Sequence, residues 1–119
     1  PHVEVDTITT RSIGNGLTEV TAVIANRRLV PTHTQQDVEN KISRPDYVTL
    51  AGGTVLTGYR VTNPNTGTAI EQPRNPGRLE VSNIPGNSVL TVKWIVRGSG
   101  PFTVTVDSEK GGAHSKVTR

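Results

Sequence analysis

Residues 88–97, SVLTVKWIVR, decide the fold class of this sequence. Alternate positions are apolar, and the even-numbered ones form the more uniform set: Leu90, Val92, Trp94 and Val96. A period of two is typical of a β-strand with one buried face. The stretch therefore predicts a strand whose even-numbered side chains face a core, with Val89 and Ile95 on the opposite face.

The same alternation recurs on both sides of this strand. Residues 18–24 predict a strand with Val23 on its outer side, and residues 102–106 predict another after a turn at residues 98–101. Because that turn is short, we expect strands 88–97 and 102–106 to pair as a hairpin. The predicted core comprises Val20, Ile24, Val92, Trp94, Val96, Phe102, Val104 and Val106.

Weaker patterns complete the set of elements. Further strands are predicted at residues 3–7, 47–50, 55–61 (bulged near Gly58), 79–81 and 115–118, with an Asn-Gly turn at residues 13–16 and a long surface connection at residues 63–77. One short helix is predicted from Thr34 to Ser43, ended by Pro45. Strands spaced by roughly 8–12 residues indicate a sandwich or barrel. We expect an all-β, immunoglobulin-like antiparallel β-sandwich of about seven to eight strands.

Composition sets the domain and partner expectations. The 119 residues fit a single sandwich domain spanning 1–119, and a start at Pro1 without any Met predicts excision from a longer chain. The net charge is +3 with scattered basic residues, so we expect no nucleic-acid partner. No apolar run is long enough for membrane insertion. The sequence has no cysteine, so disulfides and thiolate metal sites are excluded. We also expect the isolated domain to be a monomer.

The residues that usually carry catalysis are not arranged for it. The three histidines are His2, His33 and His114, and none belongs to a His-x-x-Glu or His-x-His pair. No Gly-x-Ser-x-Gly elbow or phosphate-binding loop occurs. We therefore predict no catalytic residue, no metal, no cofactor and no enzyme activity in this domain.

Candidate interaction residues are of two kinds. Arg27 and Arg28 lie at a strand end, where they are either solvated loop residues or contacts to a neighbouring domain or acidic chain end. Val23, Val89 and Ile95 are apolar at outward positions, as expected for a sheet face that docks on another domain.

Two stretches resemble a known family. They are the strand Thr18–Asn26 with Leu29-Val30-Pro31-Thr32, and the run Val92–Gly100 continuing through Val104–Gly112. Together they are similar to the β-sandwich domain that follows the catalytic domain in some bacterial zinc carboxypeptidases of the carboxypeptidase A-like family. In that family the zinc ligands lie in the catalytic domain, so none is carried onto this chain.

The resemblance implies a non-catalytic accessory domain of a secreted or periplasmic metallocarboxypeptidase. Such a domain would stabilise the enzyme or mediate contact with a protein or peptide substrate. The alternative is a stand-alone extracellular module that binds carbohydrate or protein. This alternative predicts exposed aromatic side chains or a polar groove at one end of the sandwich. For an aromatic sugar-binding platform only Tyr47 and Tyr59 are candidates, because Trp94 and Phe102 have inward parity.

Overall fold

The computed structural model describes residues 3–27, 45–63, 65–81, 84, 88–108 and 112–118. These residues form an all-β fold. Its strands are β1 (Val3–Gly14), β2 (Leu17–Asn26), β3 (Asp46–Ala51), β4 (Thr54–Asn63), β5 (Thr68–Glu71), β6 (Arg78–Val81), β7 (Ser88–Arg97), β8 (Thr103–Ser108) and β9 (Gly112–Val117). The predicted helix from Thr34 to Ser43 lies outside the described residues.

The strands form the two sheets of an antiparallel sandwich, which confirms the predicted fold class. A five-stranded sheet has the order β1-β2-β7-β4-β5, and a four-stranded sheet has the order β6-β3-β8-β9. Strand β7 lies at the middle of the larger sheet, where β2 pairs with it from Leu17↔Arg97 to Asn26↔Ser88. Within the described part of the chain, no helix is long and apolar enough to cross a membrane.

The core lies between the sheets and is centred on Trp94. All eight residues assigned to the core by alternation are buried. Trp94 pairs with Val20 on one side and Gly58 on the other, and its Nε1 donates a hydrogen bond to the carbonyl of Pro76 at 2.9 Å. A Cβ at Gly58 would meet the Pro76 oxygen at 2.3 Å. The glycine therefore allows the indole and the β5–β6 connection to approach each other.

The predicted hairpin of strands 88–97 and 102–106 is wrong. β7 pairs with β2 and β4, whereas β8 pairs with β3 and β9 in the opposite sheet. Residues 98–102 therefore carry the chain from one sheet to the other. Alternation shows which side of a strand is buried, but it does not distinguish a partner beside the strand from a partner across the core.

Two details of the region 55–77 also differ from the sequence prediction. The bulge in β4 falls between Val55 and Thr57, and Gly58 itself is in register with Trp94. The stretch predicted as one long surface connection contains β5, which pairs with β4. The pattern missed β5 because none of its four residues is buried, so no alternation marks it.

The turn between β1 and β2 forms where the sequence predicts it. Asn15 has φ 57° and Gly16 has φ 75°, the left-handed conformation that an Asn-Gly pair adopts in a two-residue hairpin loop. The resulting hairpin extends β1 well beyond the predicted residues 3–7.

Candidate interaction surfaces

The described residues contain no group of three or more His, Asp or Glu side chains placed to hold a metal ion. His2 and His33 lie outside the described residues. His114 accepts a hydrogen bond at Nδ1 from the backbone N–H of Val5, at 2.9 Å. The His114 ring therefore links β9 to β1.

The outer face of the five-stranded sheet carries a small apolar surface. Val23 and Val61 flank Thr91 in one row across β2, β7 and β4, and Val89 is the diagonal neighbour of both. We call Val23, Val61 and Val89 the valine patch. Val89 is 62% exposed; it lies just beyond the last pair between β7 and β4, Val61↔Thr91. A cleft of about 200 Å³ adjoins it, lined in part by Ala25 and Arg27.

The patch contains two of the three outward residues singled out from the sequence. Val23 and Val89 lie together, but Ile95 is four residues from Thr91 along β7, or about 13 Å. It is half-buried between Glu19 of β2 and Thr57 of β4. Sequence reasoning missed Val61, because the bulge between Val55 and Thr57 reverses the alternation in β4: Val55 packs against the core, whereas Val61 lies beside Thr91 on the outer face.

A polar row separates the valine patch from Ile95. It includes Lys93 and Tyr59, which pair across β7 and β4. The Arg11 guanidinium lies 3.5 Å from the Glu19 carboxylate. Partial burial raises the pKa of Tyr59 above its usual value of 10.0, with a further increase from the charge of Glu19 and an opposing effect of Arg11. The charges on this face are thus balanced around the tyrosine.

The outer face of the four-stranded sheet is different in character. Thr49, Thr105 and Ser115 form a row across it, and the Thr105 and Ser115 hydroxyls are 2.7 Å apart. The Arg78 guanidinium stacks on the ring of Tyr47 at 3.8 Å from its centroid. This face also carries Val117, which is 57% exposed and pairs with Thr103. Because Tyr47 and Tyr59 lie on the outer faces of different sheets, they do not form a common aromatic platform.

Arg27, a predicted contact residue, is already engaged within the chain. Its guanidinium donates to the Glu4 carboxylate through Nε and to Asp6 Oδ1 through Nη2, at 2.7 Å for the latter. The hydrogen bond to Glu4 and the charge of Asp6 raise the pKa of Arg27 further above its ordinary value. This pairing fastens the beginning of β1 to the residue that follows β2. Arg28 lies outside the described residues.

Comparison with known proteins yields a family but no described activity. No curated protein and no solved structure matches the chain. The profile of the family DUF8731, described as a domain of unknown function, matches residues 2–119. Since the match covers nearly the whole length, the chain belongs to the DUF8731 family.

Proposed function

We propose that this chain is a non-catalytic accessory domain of a secreted or periplasmic bacterial zinc metallocarboxypeptidase, and that it docks on the peptidase domain through the valine patch. In this role the domain stabilises the enzyme or orients a protein or peptide substrate. It holds no metal or cofactor itself, and the zinc chemistry belongs to the peptidase domain.

The observation that carries the docking proposal is the contrast between the two outer faces. In the valine patch, the exposed Val89 near the start of β7 adjoins two half-buried valines, whereas Val117, the exposed valine on the outer face of the smaller sheet, pairs with Thr103 and follows Ser115 by two residues. Exposed apolar groups on an otherwise polar surface are typical of interaction sites. Docking of an adjacent domain would remove Val89 from water.

The two stretches that resemble peptidase accessory domains also support the proposed link to a peptidase. One of them forms β2 and the other contains most of β7, and these strands pair along their whole length. The valine patch takes Val23 from the first strand and lies beside Thr91, next to the second stretch. Val23 therefore lies within one resembling stretch, and Val89 lies on the strand that contains the other.

The proposed link to a zinc carboxypeptidase is tested by the open reading frame that encodes this chain. We expect a carboxypeptidase-like domain before Pro1, with a His-x-x-Glu segment and a more distant His as zinc ligands. An unrelated domain or a secretion signal directly before Pro1 would remove the peptidase link.

The docking surface is tested separately in the full-length protein. Val89→Glu should loosen the contact between the domains, with about tenfold faster proteolysis of the chain between them, because a charge replaces an anchor of the interface. Thr105→Glu, an equal change on the other outer face, is the matched control. Ile95→Ala should increase the rate of this proteolysis less than Val89→Glu does, because Ile95 is separated from the valine patch. Equal effects of Val89→Glu and Thr105→Glu would contradict the assignment of the surface.

A further inference from the structure

The four edge strands of the sandwich differ in how their backbones are protected. The edges are β1 and β5 in the larger sheet and β6 and β9 in the smaller one. An edge strand presents unpaired N–H and C=O groups that another chain can pair with, unless the edge is short or covered. β5 and β6 have only four residues each.

A side chain also covers the edge of β6. The Gln72 amide nitrogen donates to the carbonyl of Arg78 at 2.9 Å, and its oxygen accepts from the N–H of Glu80 at 2.9 Å. The two bonds occupy a donor and an acceptor that a further strand would use. The amide of Gln72 thus substitutes for a neighbouring strand at this edge.

The first part of β1 is protected by side chains of β9. His114 accepts from the N–H of Val5, and Lys116 Nζ donates to the carbonyl of Asp6 at 2.9 Å. The edges of β1 and β9 face each other at this corner of the sandwich, so both are partly covered. A bulge between Val5 and Thr7 ends this protected part of β1.

The rest of β1 has no such protection in the described part of the chain. Thr7–Ser12 pairs with β2 on one side only, and every residue in it except Ile8 is exposed. In an antiparallel pair, every second residue of an edge strand directs both backbone groups away from its partner. We call Thr7–Ser12 the open edge.

The surroundings of the open edge indicate what kind of segment it suits. On the inner side, a cleft of about 420 Å³ is lined by the hydroxyl residues Thr10, Ser12, Thr18 and Ser99 together with Leu17 and two glycines. On the outer side, Arg11 remains 72% exposed despite its contact with Glu19. An added strand would place alternate side chains in this uncharged cleft and the others beside a cation.

We propose that the open edge accepts an extended peptide segment of a partner protein as an additional strand, with an acidic side chain of that segment beside Arg11. Backbone hydrogen bonds provide the attachment, and the charge pair provides the preference. This surface is distinct from the valine patch, and the inference is independent of any peptidase.

The test uses a capped hexapeptide of alternating Thr and Glu, and the same peptide with Lys in place of Glu. At millimolar concentration the Glu peptide should slow amide hydrogen exchange within Thr7–Ser12 and leave Arg78–Val81 unchanged. It should bind about two- to fivefold more tightly than the Lys peptide, as expected for a single cross-strand charge pair.

Two variants separate strand addition from general charge attraction. Arg11→Glu should reverse the preference between the two peptides, whereas Arg78→Glu, at a cation on the covered edge strand β6, should not change it. Gln72→Ala should expose the edge of β6 and create new protection at Arg78–Val81 in the presence of peptide.

Three results would overturn the proposal. One is unchanged exchange at Thr7–Ser12 with either peptide. Another is equal loss of preference in Arg11→Glu and Arg78→Glu, which would indicate nonspecific charge attraction. The third is protection of Thr7–Ser12 that rises with protein concentration alone, which would make a second copy of this chain the occupant.

Discussion

Strands β7 and β1 are both long, but they are stabilised very differently. β7 is central in its sheet, and its inward residues Val92, Trp94 and Val96 are fully buried. β1 is an edge strand in which only Val3 and Val5 are buried. The difference follows from coverage by the opposite sheet and not from strand length. The same kind of substitution should therefore have very different effects in the two strands.

The largest effect is expected at the centre of β7. Trp94→Ala should lower the free energy of unfolding by about 3–5 kcal/mol, because it leaves a cavity and removes the hydrogen bond to Pro76. Lys93→Ala, on the opposite face of the same strand, is the control and should cost under about 0.5 kcal/mol. Urea unfolding measures both. Similar losses of unfolding free energy in Trp94→Ala and Lys93→Ala would contradict the central position of Trp94 in the core.

The next largest effect tests the contact that encloses Trp94. In Gly58→Ala, the added methyl group would meet the Pro76 oxygen at 2.3 Å and Trp94 Cδ1 at 2.9 Å. Overpacking of this kind should cost about 1–3 kcal/mol. At Gly77, a methyl group would approach Val55 no closer than 3.3 Å, so Gly77→Ala should cost less. A larger loss of unfolding free energy in Gly77→Ala than in Gly58→Ala, measured by urea unfolding, would contradict the close packing of Gly58 against Pro76 and Trp94.

An intermediate effect is expected at the connection between the sheets. Gln72→Ala removes the hydrogen bonds that the side-chain amide donates to the carbonyls of Arg74, Asn75 and Arg78 and the one that it accepts from the N–H of Glu80. This loss should lower the free energy of unfolding by about 1–2 kcal/mol. Arg74→Ala is the control at an exposed position in the same connection; it keeps the backbone carbonyl that Gln72 contacts, and its loss should be under about 0.5 kcal/mol. Equal midpoints in urea for Gln72→Ala and the unaltered chain would show that the edge of β6 needs no cover.

A local effect is expected in the protected part of β1. His114→Ala should speed exchange of the Val5 amide about fivefold, since one hydrogen bond of about 1 kcal/mol is lost. Ser115→Ala changes the next residue, whose hydroxyl contacts Thr105 on the other face of β9. That control should leave Val5 exchange unchanged. Exchange at Val5 that responds equally to both changes would contradict the assigned bond.

The smallest effect is expected in the open edge. Thr10→Ala should change the free energy of unfolding by under about 0.5 kcal/mol, because Thr10 is exposed and the opposite sheet does not cover it. The measurement is the same urea unfolding experiment. A loss near that of Trp94→Ala would remove the distinction between the two strands.

Much of the fold follows from period-two alternation, but strand partners do not. The pattern in residues 88–97 predicts both the strand and its buried face, because Trp94 and its apolar neighbours are strictly alternate. The alternation does not show that β8 lies in the opposite sheet from β7, because a strand with one buried face has the same pattern in either sheet. β5 is missed because an edge strand without buried residues has no alternation to detect.

The interaction surfaces are predictable to a lesser extent. Outward parity is enough to select Val23 and Val89, and the six positions between Val89 and Ile95 on one strand already separate these two residues. Only the order of the strands and the register of β4 place Val61 beside the other two valines. Arg27 at a strand end is visible in the sequence, whereas its pairing with Glu4 and Asp6 depends on the β1–β2 register. Edge protection by Gln72 and His114 depends on contacts between distant residues that no local pattern encodes.

We propose that this domain accompanies a zinc carboxypeptidase and does no chemistry itself. The most direct measurement compares the full-length gene product with the 119-residue chain in release of C-terminal amino acids from peptides, with and without a zinc chelator. We predict chelator-sensitive release by the full-length protein and none by the chain alone. Hydrolysis by the chain alone, or no release by a zinc-loaded full-length protein, would contradict the account.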